Sequence, residues 1–430
     1  MPRFLTTVSA VALLTTAAAS GAAMAQDAGA PQFTLTGTGG VVGIMLPAFD
    51  TGAMGETASG GLIGGMLGGN ITTGVGQIGD YDGLLSLNVF GIYGMGMTSS
   101  STDTYSGPGT VIISGLSAPD AGSITLDPGG ATDVAITGAN GASDDIVAGG
   151  AVINNAGVSP DLPGFILGAY TDDNAGAEAS YGAIADTSGG IFIASGDFSG
   201  LAIETSVSRS VFYGGADLTL GLVGGDNGAA SFVGYFGPSV KLLNDTTTTR
   251  VTVDIPEVAP TGGVVMPEFT MSHEDLLQSL YLGGVIGGSV AIVGEPGIVY
   301  SLGIEGGAYA VGASWRGQDT YSTCCGLDPV DPSPDLSVVA DPLTHDYGTA
   351  IAFSAKGSAA VTHAIGGNKA LTIGGSAEYL SHVARVDHSD LVSVGGSDDW
   401  VAADGSPATS TFSWGHMLNV AITASLTGTF

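Results

Sequence analysis

Near its end the chain alternates in polarity. Phe412, Trp414, Leu418, Val420, Ile422, Ala424, Leu426 and Phe430 share one parity, while Ser413, Asn419, Thr423, Ser425, Thr427 and Thr429 occupy the other. Successive side chains of a strand point to opposite faces, so this pattern predicts a strand with one oily and one wet face. It lasts about nineteen residues, well beyond the roughly five or six of an ordinary soluble strand. A barrel wall crossing a bilayer needs roughly 9 to 11 residues per strand and can continue above it.

Two upstream stretches, Ala58 to Gly79 and Leu276 to Gly294, carry no charge and by length could each be a transmembrane helix. The second contains Gly283-Gly284 and Gly287-Gly288, and each glycine costs a helix about 0.8 to 1 kcal/mol relative to alanine. Leu280, Leu282, Ile286, Val290 and Ile292 share one parity instead, which predicts a strand.

The same alternation fills paired segments. Residues 209 to 223 and 229 to 243 flank a glycine-rich turn, 276 to 293 and 298 to 315 flank Gly294-Glu295-Pro296-Gly297, and 347 to 364 and 369 to 385 flank Gly366-Gly367-Asn368. Between these hairpins lie longer polar segments at 244 to 275, 316 to 346 and 386 to 408. Strands are also expected at 33 to 46, 60 to 76 and 84 to 97, with weaker ones at 178 to 186 and 190 to 207, giving about twelve in all. An even number returns both termini to one side of the membrane.

Residues 98 to 177 read as a large extracellular loop or insertion, in which Val111 to Ser114, Ala131 to Thr137 and Ile146 to Asn154 are candidate short strands. If they join the wall, the number rises to fourteen or sixteen. A second parse starts an eight-stranded barrel near residue 190 and leaves 26 to 185 as a separate displayed module. No Lys or Arg occurs between Phe4 and Ser208, which is the composition change that parse needs.

Composition narrows the classes. Of 430 residues 73 are glycine, 44% are apolar and only 11% charged, a balance opposite to that of disordered chains. Eight Lys and Arg against 40 Asp and Glu give a formal net charge of -32, which excludes nucleic-acid binding through phosphate contacts. A mean hydropathy of +0.38 is high for so acidic a chain and points to a membrane. The first 25 residues read as an export signal, with Arg3, an apolar run from Phe4 to Ala19, and Ala23-Met24-Ala25 as the cleavage site before Gln26.

The signal, the alternating strands, the rhythm of short turns and long segments, and the terminal Phe430 together resemble Gram-negative outer-membrane β-barrels of the porin-like kind. The resemblance implies an all-β fold, an antiparallel transmembrane β-barrel of about 12 strands (8 to 16), with short periplasmic turns and long acidic extracellular loops. It also implies a location in the cell outer membrane, among its lipids. The last strand, with Ile422, Ala424 and Leu426 at alternate places before Phe430, is similar to the one such proteins present to the barrel-assembly machinery. Gly428 departs from that pattern, where a larger apolar residue is usual.

Candidate chemistry is sparse. There is no P-loop, dinucleotide fingerprint, His-Glu-x-x-His or Gly-x-Ser-x-Gly, so no enzyme is expected. His273, His345, His363, His382, His388 and His416 are scattered; a hydrolase would need a histidine beside a serine and an acid. His382 and His388, near an acidic segment, are the nearest approach to that. Asp217, Lys241, Glu305, Lys356 and Glu378 lie on the face opposite the oily one, which in a barrel lines the pore. Antiparallel counting from the turn at Gly367 sets Lys356 against Glu378, a cross-strand pair worth about 0.2 to 1 kcal/mol.

The segments 317 to 346 and 386 to 408 are rich in aspartate. Asp328, Asp331 and Asp335 could hold Ca²⁺ or Mg²⁺, both of which take oxygen ligands, although their spacing matches no EF-hand and a solvated acidic surface is the plainer reading. No other cofactor is expected. Cys324 and Cys325 are adjacent and form either a vicinal disulfide or two thiols.

These features predict a channel for passive, cation-favouring diffusion of small cationic or neutral solutes, with homo-oligomers open. The alternative is a structural or adhesive surface protein that displays residues 26 to 185 on a smaller barrel anchor. A soluble secreted β protein would leave the oily face and Phe430 without a purpose.

Overall fold

The computed structural model describes residues 33 to 430 apart from 55, 120–121, 127–133, 139–142, 147–151, 155–164, 172–178, 225–229, 255–267, 295, 325–335, 367, 390, 396–400 and 404–406. The proposed signal and Asp328, Asp331 and Asp335 lie outside the described residues, as does Cys325.

Among the described residues ten strands close a ring. They are β1 (Phe33–Met45), β2 (Gly61–Ile78), β3 (Tyr81–Gly96), β4 (Gly190–Gly224), β5 (Ala230–Asp254), β6 (Glu268–Val293), β7 (Ile298–Cys324), β8 (Leu343–Gly366), β9 (Lys369–His388) and β10 (Ser410–Thr429). Every neighbour pair is antiparallel. The ring shuts where β1 meets β10, with Thr36 opposite Thr427 and Val41 opposite Ile422. Closure removes the free sheet edges that an open sheet would leave unpaired. At one end the strands are joined by tight turns; Gly79 and Gly297 there have φ of 64° and 86°, which a side chain would resist.

The expectation of about twelve strands is corrected to ten. Residues 190 to 207 and 209 to 223 are two halves of one long strand, β4, and residues 179 to 185 pair with its upper half without entering the ring. The eight-stranded parse fails as well, because β1 pairs with β10 and β3 pairs with β4, which weaves the early strands into the wall. The early strands β1, β2 and β3 are therefore part of the wall and not of a separate module.

The outer and inner faces exchange character along the strands. In the half nearer the turns, which we call the belt, Phe232, Leu282, Ile286, Leu302, Ile304, Ile373, Ile422 and Leu426 face outward and are exposed, while Thr36, Asn70, Asp217, Thr372, Asn419 and Thr427 are buried inside. In the half nearer the loops, which we call the head, Phe192, Ile203, Val251, Val253, Phe269, Met271, Leu277 and Trp315 face inward and form one core. Arg250 and Glu274 are exposed on the outside there. On β6 the change falls between Leu277, inward, and Leu280, outward. Among the described residues the continuous apolar exterior lies on the belt, and the head exterior is mostly polar.

Much of what was expected as long loops is head wall. β5 continues to Asp254, β6 begins at Glu268, β7 runs to Cys324 and β8 begins at Leu343. Part of the 98 to 177 segment joins the head too. Ser99–Ser114 pairs with the upper half of β4, and Gly122–Leu126, Val134–Gly138, Ser143–Ile146 and Val401–Ala403 form a small separate sheet.

Candidate functional site

The belt interior gathers all five charged residues expected there. Asp217 on β4, Lys241 on β5, Glu305 on β7, Lys356 on β8 and Glu378 on β9 line a single cavity of about 20 Å³, with Val42, Met66, Phe90, Ile92 and Asn419 around it. That is space for about one water. The registers place Glu305 opposite Lys356 and Lys356 opposite Glu378, as counted from the turn.

The ion pair itself is different from the one expected. Lys241 reaches across the lumen to Glu378, 2.5 Å from Nζ to Oε1, and the Tyr213 hydroxyl donates to the same oxygen at 2.9 Å. The Lys241 ammonium also lies 5.1 Å from the centre of the Tyr309 ring, over its negative face. Tyr235 donates to Glu305 at 3.0 Å. β5 and β9 are not neighbours in the ring, so no turn counting could find this contact; it follows from the lumen being narrow enough to span.

Above this level a second ion pair ties the wall to a loop. Arg209 on β4 meets Asp245 on β5 through Nε and Nη2, and its Nη1 donates to the carbonyls of Pro47 at 2.8 Å and Ser59 at 3.3 Å. Its guanidinium also sits over the Phe49 ring. Tyr281 and Tyr309 meet edge to face nearby, with Ile44, Leu243, Leu380 and Met417 filling the remaining interior.

A different cluster lies in the head, beyond the apolar belt. His273 and Asp275 on β6, Asp319 on β7 and His388 on β9 are all at least 97% buried. His273 Nδ1 bonds Asp319 Oδ1 at 2.8 Å, His388 Nε2 bonds Asp275 Oδ2 at 2.9 Å, and His388 Nδ1 bonds Ser410 Oγ at 3.0 Å. Trp315 Nε1 donates to Asp275 Oδ1 at 2.6 Å, while Leu116 N and the Tyr321 hydroxyl both donate to Asp319 Oδ2. His273 Nε2 stands 3.0 Å from Asp275 Oδ1 but off the direction of a hydrogen bond, and it makes none.

The charges here are strongly coupled. Burial opposes the positive form of His273, but Asp275 and Asp319 outweigh it and push its pKa up to about 10. Burial alone would raise the Asp275 carboxyl; His273 and His388 outweigh that and hold it well below the usual carboxylate range. The Tyr321 phenol is pushed well above its ordinary value, by burial first and by Asp319 second.

Sequence reading missed this cluster because its members are up to 115 positions apart and fit no motif. One signal was present: His273 and Asp275 share parity with Phe269, Met271 and Leu277, which marks them as inward. Of the six histidines scattered along the sequence, His273 and His388 are buried in this cluster. His363 and His416 are exposed on the wall, and His382 sits at a bulge with φ of 55°.

No family model matches the chain, and no curated protein is similar to it. Among solved structures, the outer membrane protease OmpT of Escherichia coli is matched at 9% identity over 93% of this chain and 97% of that one, with a TM-score of 0.29. The P. putida toluene transporter TodX is matched at 8% identity over 94% and 91%, with a TM-score of 0.19. A Pseudomonas aeruginosa FadL homologue is matched at 9% identity over 93% and 90%, with a TM-score of 0.17. At TM-scores this low the likenesses carry no argument, and the architecture stands on the closed antiparallel ring and its apolar belt alone.

Proposed function

We propose that this chain is an outer-membrane β-barrel, closed at the level of its belt, that anchors and displays the head above the bilayer. One observation carries the reading: at the level of its five charged residues the belt interior leaves about 20 Å³, space for about one water. Ten strands stand close to the eight whose interior is filled by side chains and far from the sixteen to eighteen that enclose a water channel.

Embedding in a membrane is supported by the exposed apolar belt and by the aromatic residues at its edges, with Phe33, Phe430, Tyr81 and Tyr300 at the turn end. In this reading the short turns face the periplasm, the head faces outward, and the strand ending in Phe430 meets the barrel-assembly machinery.

The testing experiment is planar-bilayer recording of the refolded mature chain under a salt gradient. Reproducible insertion without steady current is the expected result. Steady openings in the unmodified chain would overturn the closed-anchor reading.

A second reading, passive cation-favouring diffusion of small solutes, is favoured by the three carboxylates of Asp217, Glu305 and Glu378 against the two ammonium groups of Lys241 and Lys356 at one level of the lumen. Conduction in that case requires Lys241 and Glu378 to separate. A cation-selective reversal potential that changes in Glu378→Gln would move the conclusion to this reading.

A further inference from the structure

The head cluster has a feature that simple ion pairing leaves over. Two imidazole Nε2 atoms, from His273 and His388, converge on the one carboxylate of Asp275, and the three ligand atoms lie within 4.8 Å of one another. One of those nitrogens, His273 Nε2, is buried and has no hydrogen-bond partner. It stands 3.0 Å from Asp275 Oδ1 as an ion pair without a directed hydrogen bond, an arrangement of a buried nitrogen and a carboxylate that a shared ligand would satisfy better.

The opposite nitrogens are held as metal-binding histidines hold theirs. His273 Nδ1 is fixed by the Asp319 carboxylate and His388 Nδ1 by the Ser410 hydroxyl, so each ring can keep its proton on Nδ1 and turn the Nε2 lone pair inward. Outer carboxylates that orient a ligating imidazole and raise its basicity are a regular part of metal sites. Asp319 is itself fixed by Leu116 N and Tyr321, and Asp275 by Trp315, so this outer layer is rigid.

We propose that His273 Nε2, His388 Nε2 and the Asp275 carboxylate form a binding site for a divalent transition metal, with Zn²⁺ the ion that the donor set suits best. Two imidazole nitrogens and one carboxylate oxygen are ordinary zinc ligands, and three protein ligands leave a fourth position for water. Insertion of the ion displaces the proton shared between His388 and Asp275 and the proton on His273 Nε2, so binding releases protons. Ser410 is half exposed beside His388, which puts the solvent edge one side chain from the site. The site stands on its own geometry and does not depend on whether the belt is closed.

The neighbouring reading of the same atoms is a hydrolytic relay, because Ser410, His388 and Asp275 follow the order hydroxyl, imidazole, carboxylate. That reading gives His273 Nε2, 3.0 Å from the same carboxylate, no role, and the metal site is the one that uses it.

The test uses the refolded full mature chain in detergent, stripped with a chelator and titrated with Zn²⁺ by calorimetry. Co²⁺ serves as a spectroscopic probe, and retained heat-modifiable migration in gels shows that each variant is folded. One Zn²⁺ per chain is expected, with visible Co²⁺ bands of a four-coordinate site. His273→Ala and His388→Ala should each weaken binding at least 100-fold. Asp319→Asn, which meets His273 at its outer nitrogen and offers the metal no ligand, should weaken it about 10- to 100-fold. His363→Ala, on the exposed wall, should bind as the parent does. If the folded parent takes up no Zn²⁺, protons alone occupy the cluster and the proposal fails. Binding that survives both folded histidine variants would place the metal in the acidic segments and overturn the site equally.

Discussion

The belt and the head are built from the same strands and solve opposite problems. In the belt the outer face is apolar: Leu282, Ile286 and Ile304 stand outside and the polar groups turn inward. In the head the outer solvent is water, so Glu274 and Arg250 stand outside and Phe269, Met271 and Val253 turn inward. Backbone pairing is continuous through both halves, with β5, β6 and β7 in unbroken register from Ala230 and Val293 up to Val253 and Cys324. The wall is therefore one sheet, and only the parity of the apolar side chains records where the outer face changes from apolar to polar.

The interiors also differ in how they hold charge. The belt spreads its charges around a lumen and pairs Lys241 with Glu378 across it. The head concentrates two histidines and two aspartates in one knot inside an apolar core. A buried pair is weak evidence for stability, but a buried charge left alone is expensive.

A large effect is expected from breaking the belt interior. Lys241→Met removes the cation paired with Glu378, leaving the Tyr213 hydroxyl and the cross-strand Lys356 near the buried carboxylate, and should destabilise the refolded barrel by about 3 kcal/mol in urea titration. Adding Glu378→Gln in the same chain should recover much of that loss, and failure to recover would mean that the pair matters for packing and not for charge.

Of similar size, Phe269→Ala removes a ring stacked on Phe192 in the head core, and should cost about 3 to 5 kcal/mol at most. Hydrogen exchange should show the loss in the head and leave the belt amides of β10 protected. Equal loss in both halves would show that they unfold as one unit.

The most direct test of the inversion compares two outward positions. Ile304→Arg, at a site 74% exposed in the belt, should cost about 2 to 4 kcal/mol in lipid. Glu274→Arg, outward in the head, should change stability by no more than about 0.5 kcal/mol. Similar costs at the two positions would remove the boundary drawn between Leu277 and Leu280. A smaller loss than that of Ile304→Arg is expected from Trp315→Phe, which deletes the donor to Asp275 and keeps most of the packing, at about 1.5 to 3 kcal/mol with the belt unaffected.

Some of this was legible in the chain. The oily parity of β10, from Leu418 through Leu426, appears in the structure as the outward face of the belt. Lys356 opposite Glu378 could be counted from a tight turn because antiparallel register propagates from it. The upper parts of β5, β6 and β7 were read as loops because their apolar positions change parity at the belt edge. A search for one continuous alternation stops there, at Leu280 on β6, although Phe269, Met271 and Leu277 carry the same period displaced by one. The two halves of β4 were separated for the same reason, since Val207 and Val211 face in while Leu218 faces out.

By itself the sequence determined the belt parts of the wall strands, the apolar outer face they share, and the face on which Asp217, Lys241, Glu305, Lys356 and Glu378 lie, because a period of two is a local property of the backbone. Only the tertiary structure decided that the ring closes at ten strands, that Lys241 meets Glu378 across the lumen, and that His273, Asp275 and His388 converge in the head. Those outcomes depend on ring circumference and on contacts between strands that no turn connects, and neither is written in the alternation along any one strand.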